Sequence, residues 1–391
     1  MAVRPGPPST ARLVGIDLAR GLAVLGMYAA HFGPYPETGG PLGFTMELAR
    51  GRAATLFALL AGFSLVLITG RPRPRTGRAG RQAMGRIVIR SLVLIPLGFA
   101  LTALDTDIDV ILSFYGLLFL AVLPLYRLRA RTLAVIAAAG ALIMPQVLFV
   151  IRESIYNGDW GDTVVAGDPV ARLTGTDGMV ELLFTGEYPV LTWAPLLIAG
   201  MAVARLDLTR PRVRARLALT GVALAVLGYG GSWLALGLVP GAYDTIASAT
   251  DGDSGRTAWW SDTVGYIIDG TPITWLLVAV PHSQTTFSIL GSTGVALVVI
   301  AACVAATDHA RFTRLATPVS AIGMIGLTAY VAHVVAIYFV GMEEETGPAM
   351  LALTCATAAA MLLAVVWTRY FRRGPLETLL RLATRPVRHI R

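Results

Sequence analysis

Ten stretches of this chain stay apolar for about twenty residues, the length a helix needs to cross hydrocarbon. They cover 13–32, 51–70, 87–104, 110–126, 132–151, 188–205, 217–239, 287–306, 319–341 and 348–369. In lipid every backbone N–H and C=O must find a partner inside the protein, which leaves helices or a closed barrel. The runs are long and continuous, not short and alternating, so they predict an all-α, polytopic membrane protein of about ten transmembrane helices. Charged residues make up 14% of the chain and hydrophobic ones 55%, against about a quarter charged in a soluble domain. A soluble globular core is excluded. The segment 262–281 is apolar but interrupted by Gly270 and Pro272, which predicts a re-entrant or interfacial piece instead of an eleventh span.

A net charge of +8 would suggest nucleic acid in a soluble protein, but its distribution gives another meaning. Arginines crowd the loops at 71–86, 127–131, 205–216 and 311–314 and the tail from 369 onward, all on one side of a ten-helix path. The acids gather on the other side, at 105–109, 153–187, 244–269 and 343–345. Arginine-rich loops stay inside, so both termini are expected in the cytoplasm, with the lipid bilayer as partner and no nucleic acid. All 32 basic residues are arginine, a usage expected of a GC-rich bacterial genome and hence a bacterial plasma membrane. The short polar N-terminus leads into a helix with Asp17 and Arg20 in its opening turns, read as retained and not as a signal peptide. Cys303 and Cys355 fall inside apolar runs and read as small hydrophobes. Two loops, 152–187 and 240–286, are long enough to expect function; Trp259 and Trp260 in the second suggest an interfacial anchor or a sugar-stacking platform.

Ionisable groups at membrane depth point to function. Asp17 and Arg20 are three residues apart and share a helix face. His31 lies eleven residues beyond Arg20 and returns to about that face, roughly 20 Å along the axis from Asp17. His282 precedes the eighth apolar run, followed by Ser283 and Thr285. His333 sits mid-helix with Tyr330 one turn earlier. Histidine exchanges protons near neutral pH. Each also has a bland structural role: an ion pair at the membrane edge, a helix end, a loop hydrogen bond or an interhelical bridge. His309 and His389 lie in basic cytoplasmic segments and are set aside. No HExxH, CxxC, GxSxG or phosphate-loop spacing occurs, so neither a metal site nor an ATP-driven pump is expected.

The opening, with Arg12 and then GIDLARGLAVLGM, His31 and GRAATLFALLAGFSLVL, resembles the catalytic domain of the heparan-alpha-glucosaminide N-acetyltransferase family. TGEYPVLTWAPLLIAGMAVARLDL, PHSQTTFSILGSTGVAL, IGMIGLTAYVAHVV and the terminal FRRGPLETLLR resemble YeiB-type bacterial membrane proteins of the same wider acyltransferase superfamily. On this reading one continuous membrane domain comprises a six-helix half, 1–206, carrying the acyltransferase-like opening, and a YeiB-like four-helix half, 207–391. The resemblance implies transfer of an acetyl or other acyl group from cytoplasmic acyl-CoA to an extracytoplasmic small-molecule acceptor such as a glycan, and it allows a homodimer. The eukaryotic enzymes place a catalytic histidine in the loop after the first helix. Here that loop, GPYPETGGPLGFTMELAR, has none, and His31 is the nearest candidate. Arg12 and Arg20 are then expected to hold the donor, with Asp17 positioning Arg20. His31 acts as base or acyl carrier alongside His282 and His333, and Ser283, Thr285 and Tyr330 orient the acceptor. A small-molecule transporter or lipid flippase, or a non-enzymatic sensor, fits the same polar residues; only an acyltransferase releases free CoA.

Overall fold

The computed structural model describes residues 10–106, 108–158, 160–249, 259–261, 272–340 and 349–390, without the side chains at 10–13, 37 and 340. Among the described residues there is no strand. The chain runs through α1 (Thr10–Phe32), α2 (Gly40–Ala49), α3 (Arg52–Thr69), α4 (Gly77–Thr102), α5 (Ile111–Val122), α6 (Ala130–Tyr156), the short α7 (Trp160–Gly167) and α8 (Pro169–Thr174), and α9 (Val190–Ala204). Then come α10 (Pro211–Ala225), continuous through a π-turn with α11 (Gly231–Leu238), α12 (Ala242–Ala249), α13 (Thr286–Ala306), α14 (Ala310–Leu315), α15 (Thr317–Met324), α16 (Gly326–Val340), α17 (Ala349–Tyr370) and α18 (Pro375–Ala383).

Each of the ten apolar runs is helical. Among the described residues, six continuous helical stretches are long and apolar enough to cross a membrane, and α15 with α16, bent by 88° at Ile325, makes a seventh if counted as one. Three runs fall short by that measure. Those of α5 and α9 are too short, and α1 carries Asp17, Arg20 and His31 among its apolar residues. The interrupted segment 262–281 is described only from 272, where Ile273–Leu277 forms a 3-10 turn.

α3 is buried along nearly its whole length and forms the axis on which α1, α9 and α13 pack. α17, by contrast, buries only Ala364 and leaves its other apolar side chains partly or fully exposed, the pattern of a helix facing lipid. Without water to drive helices together, close backbone contact does the work, and small residues permit it. Gly62 of α3 and Gly200 of α9 meet reciprocally: a Cβ on either would overlap a carbonyl of the other helix, at Leu197 and Leu59. Gly21 of α1 and Gly323 of α15 repeat the device, against the carbonyls of Val319 and Asp17.

At the junction of α2 and α3 a buried ion pair fixes the neighbouring loop. The Arg52 guanidinium donates to the Glu47 carboxylate at 3.3 Å, to the Tyr229 hydroxyl at 3.0 Å and to the Trp260 carbonyl at 2.9 Å. Ser261 Oγ donates to the other Glu47 oxygen at 2.6 Å. The Trp260 ring lies against this guanidinium and against Phe44, while Trp259 packs beside the small apolar cluster around Trp275. The tryptophan pair, expected as an interfacial anchor or stacking platform, thus makes intramolecular contacts. Its rings have a buried cation and an apolar cluster to cover.

Candidate functional site

The polar groups of α1 fall at two levels. At the lower one, Arg20 Nη1 donates to Asp17 at 2.9 Å and to the Gly323 carbonyl at 3.0 Å, and Nη2 to Ser64 Oγ at 3.2 Å. Gly323 belongs to the last turn of α15, so its carbonyl is one that the break leaves without a helical partner. Arg20 therefore satisfies an orphan acceptor while Asp17 balances its charge. Beside them opens a cavity of about 240 Å³, lined by Arg20, Ser64, Arg90, Tyr115 and Glu377 among apolar side chains. Two of its buried lining atoms, Arg90 Nε and the Tyr115 hydroxyl, have no hydrogen-bond partner. Such donors at a cavity wall are groups that water or a polar ligand would satisfy.

Three turns further along α1, His31 meets His333 of α16. Nδ1 of the first and Nε2 of the second are 3.1 Å apart, with rings stacked at 9° and centroids 5.3 Å apart. One nitrogen donates and the other accepts. Tyr330 packs edge-on to His333 at 5.0 Å, and its hydroxyl accepts from the Ile111 amide at 3.2 Å. Tyr28 flanks His333 on another side at 5.0 Å and anchors to the Ala329 carbonyl.

The third histidine enters from the loop ahead of α13 and lies within Coulombic range of His31. His282 and Gln284 both adopt φ of +60°, a conformation that L side chains occupy rarely and that concentrates at functional sites. Gln284 holds the strained turn: its Nε2 donates to the carbonyls of Glu187 and His282, at 2.8 and 2.9 Å, and its Oε1 accepts from Thr192 Oγ1 and Trp193 Nε1. His282 Nδ1 faces the Glu187 carboxylate at 2.7 Å, and its ring stacks on Trp193. Glu187 is set in turn by Arg152 of α6, whose guanidinium donates to the carbonyls of Phe184, Thr185 and Gly186.

Burial alone would strip a proton from His282, but the charges of Glu187 and then Asp109 outweigh it and raise the imidazole above its ordinary pKa. Asp109 touches solvent on one side and is crowded by protein on the others. That crowding, reinforced by the negative charge of Glu187, lifts its carboxyl to about 6. His31, His282, His333, Glu187, Asp109 and Tyr330 thus form one cluster drawn from five parts of the chain.

Other expected site residues have different surroundings. Ser283 Oγ donates to the Val280 carbonyl at 2.7 Å. Thr285 Oγ1 donates to the Val278 carbonyl at 2.6 Å and accepts from the Ser288 amide as the N-cap of α13. Both hydroxyls have partners that shape the loop. The Arg12 side chain lies outside the described residues. Sequence reasoning missed Glu187, Asp109, Gln284 and Arg152; the one available signal was Glu187, a lone acid in TGEYPV at the mouth of an apolar run. Among the described residues no group of three or more His, Cys, Asp or Glu is placed to hold a metal ion.

An all-helical, multi-pass membrane fold with titratable side chains near one end of its first helix defines the class. The family described as "Heparan-alpha-glucosaminide N-acetyltransferase, catalytic" matches residues 12–232, more than half of the chain, and the chain belongs to it. Residues 251–386 match a second family, described as "Protein of unknown function (DUF418)". No curated protein matches. The histidine cluster draws on both matched regions: His31 and Glu187 lie in the first, His282 and His333 in the second.

Proposed function

We propose that this protein is a membrane acyltransferase that moves an acetyl or other acyl group from cytoplasmic acyl-CoA to an acceptor beyond the membrane, a sugar or another small cell-envelope molecule. The reading places it in a bacterial plasma membrane with both termini inside, as the arginine bias predicts. The observation that carries it is the two-level arrangement along α1. A cavity with two arginines lies at one level, and a paired histidine lies three turns away. The catalytic-family match covers the residues that build the α1 side of both.

On this reading Arg20 and Arg90 bind the donor's phosphates, the task for which forked guanidinium groups are suited. At about 240 Å³ the cavity is slightly smaller than usual ligand pockets, so it receives part of the donor, with the remainder at the cytoplasmic surface. His31 stands about 16 Å beyond Arg20 along the helix, which is the distance over which the thioester must be presented. A histidine of the cluster then removes the proton from the attacking hydroxyl or amine. The new carbon–oxygen or carbon–nitrogen bond forms as the carbon–sulfur bond breaks, and the thiolate departs with CoA. His31 serves as the base or, in a two-step route, as the acyl carrier. Glu187 and Asp109 favour the protonated form of His282, which can then donate to the developing oxyanion.

The 88° bend of α15–α16 favours a second reading. Broken helices at membrane depth also build transport sites. The discriminating experiment offers acetyl-CoA and a panel of envelope sugars to the purified, detergent-solubilised protein and follows free thiol. Release above the His31→Ala background supports acyl transfer. Its absence across acyl chain lengths, with folded protein, moves the reading to transport.

A further inference from the structure

Apart from Glu377, which lines the cavity, the Gly-Pro-Leu-Glu at the start of α18 has no part in the scheme above, and the structure ties it to the first turn of α16. The break at Ile325 strips α16 of intrahelical acceptors for its first amides. Glu377 Oε1 accepts from the amides of Leu327 and Thr328, at 2.8 and 3.2 Å, and Oε2 accepts from Thr328 Oγ1 at 2.6 Å. The same Thr328 oxygen accepts from the Leu376 amide at 3.2 Å, in the first turn of α18. Each helix thus caps the other, a capping box closed between two helices and not within one. Pro375 suits the first turn, where no amide is needed. A Cβ on Gly374 would overlap both the Glu377 carboxylate and the Thr328 hydroxyl, so only glycine leaves room for the reciprocal cap.

We propose that Glu377 is a positioning residue for His333: the carboxylate at the α16 N-terminus fixes the height and rotation of that helix so that the imidazole meets His31. The two caps divide the break between them. Arg20 holds the carbonyl end of α15, and Glu377 holds the amide end of α16. His333 lies five residues beyond the capped amide of Thr328, under one and a half turns. A loosened first turn therefore displaces it directly. The negative charge also suits the positive end of the helix dipole.

The test reads geometry without relying on acyl transfer. In a Cys303→Ala, Cys355→Ala background, the His31→Cys, His333→Cys pair is bridged with the short dithiol reagent dibromobimane, and the bridged peptide is quantified by mass spectrometry. Adding Glu377→Ala is expected to slow bridging about tenfold, in line with losing a helix cap, while Glu377→Gln, which keeps an acceptor oxygen, stays within about threefold. Unchanged bridging in folded Glu377→Ala overturns the proposal, even if its thermal stability falls, because that is what a merely structural cap would give. Should that variant fail to fold, Thr328→Val removes only the bridging hydroxyl. Its expected slowing is about threefold, and no slowing overturns the proposal equally. A kinetic arm rests on the acyltransferase reading: kcat falls in Thr328→Val, whose side chain lies outside the cavity lining, with KM for acetyl-CoA unchanged. Loss of thiol release in the unaltered protein would sink that reading alone and leave the bridging result to decide this one.

Discussion

His31 and His333, 302 positions apart in sequence, face each other with ring nitrogens 3.1 Å apart and nearly parallel planes. Two helices from opposite ends of the chain bring them together, one matched by each family.

That pairing predicts strong non-additivity. His31→Ala and His333→Ala are each expected to lower thiol release from acetyl-CoA by about 10²–10⁴-fold, the usual worth of a positioned acid–base group. Residues that act as a unit lose little more when both are removed. A double variant whose defect equals the product of the two single defects would show that the histidines work independently.

Arg20→Ala leaves the Asp17 carboxylate without its partner and the Gly323 carbonyl without its donor. Both side chains of the pair are about a quarter exposed, so the expected loss is about 2 kcal/mol, below that of a fully buried pair. It is measured as a fall in thermal unfolding midpoint in detergent. Arg20→Lys keeps the charge but not the fork; its expected signature is a raised KM for the donor with stability largely restored.

The acids around His282 set the direction of a pH effect. The charges of Glu187 and Asp109 outweigh the burial that would lower the His282 imidazole pKa, and they raise it above its ordinary value. Asp109→Asn deletes one of those charges, so the imidazole proton is expected to leave at lower pH, a shift read from the histidine ring resonances or the alkaline limb of the activity profile. Asp109 itself titrates near 6, with a folded-state pKa above the unfolded one. Its contribution to stability is therefore full below the unfolded value and lost as pH rises through about 6. Removing the charge is accordingly expected to raise the unfolding midpoint at neutral pH.

Gly323→Ala places a methyl group on the Asp17 carbonyl. The neighbour is backbone and cannot swing aside, so α1 and α15 must separate, at a cost of about 1–3 kcal/mol. Gly237→Ala, where a Cβ meets nothing within 4 Å, is the control, expected to leave the unfolding midpoint unchanged or slightly raised because alanine favours the helix.

Much of this was legible from residue order because lipid makes the sequence explicit. A run of twenty apolar residues has few alternatives to a helix, and Asp17, Arg20 and His31 stand out because their type conflicts with their surroundings. Helical spacing also brought Tyr330 and His333 to one face. Glu187, Asp109 and Gln284 were not legible for the opposite reason. Polar residues in loops are ordinary, and only the folded turn reveals that Gln284 joins the carbonyls of Glu187 and His282. The 88° bend escaped as well, since an apolar run shows where hydrocarbon is and not where the axis turns. Ser283 and Thr285 were read as acceptor contacts from chemistry alone, and their backbone partners appear only in three dimensions.

The reciprocal glycine crossing of α1 and α15 divides the bent pair into unequal parts. One arm is seated backbone to backbone, with no slack to slide. The other is held at its base by a carboxylate and a hydroxyl that can let go. A rotation about Ile325 would therefore move His333 relative to Arg20, which stays on the seated arm.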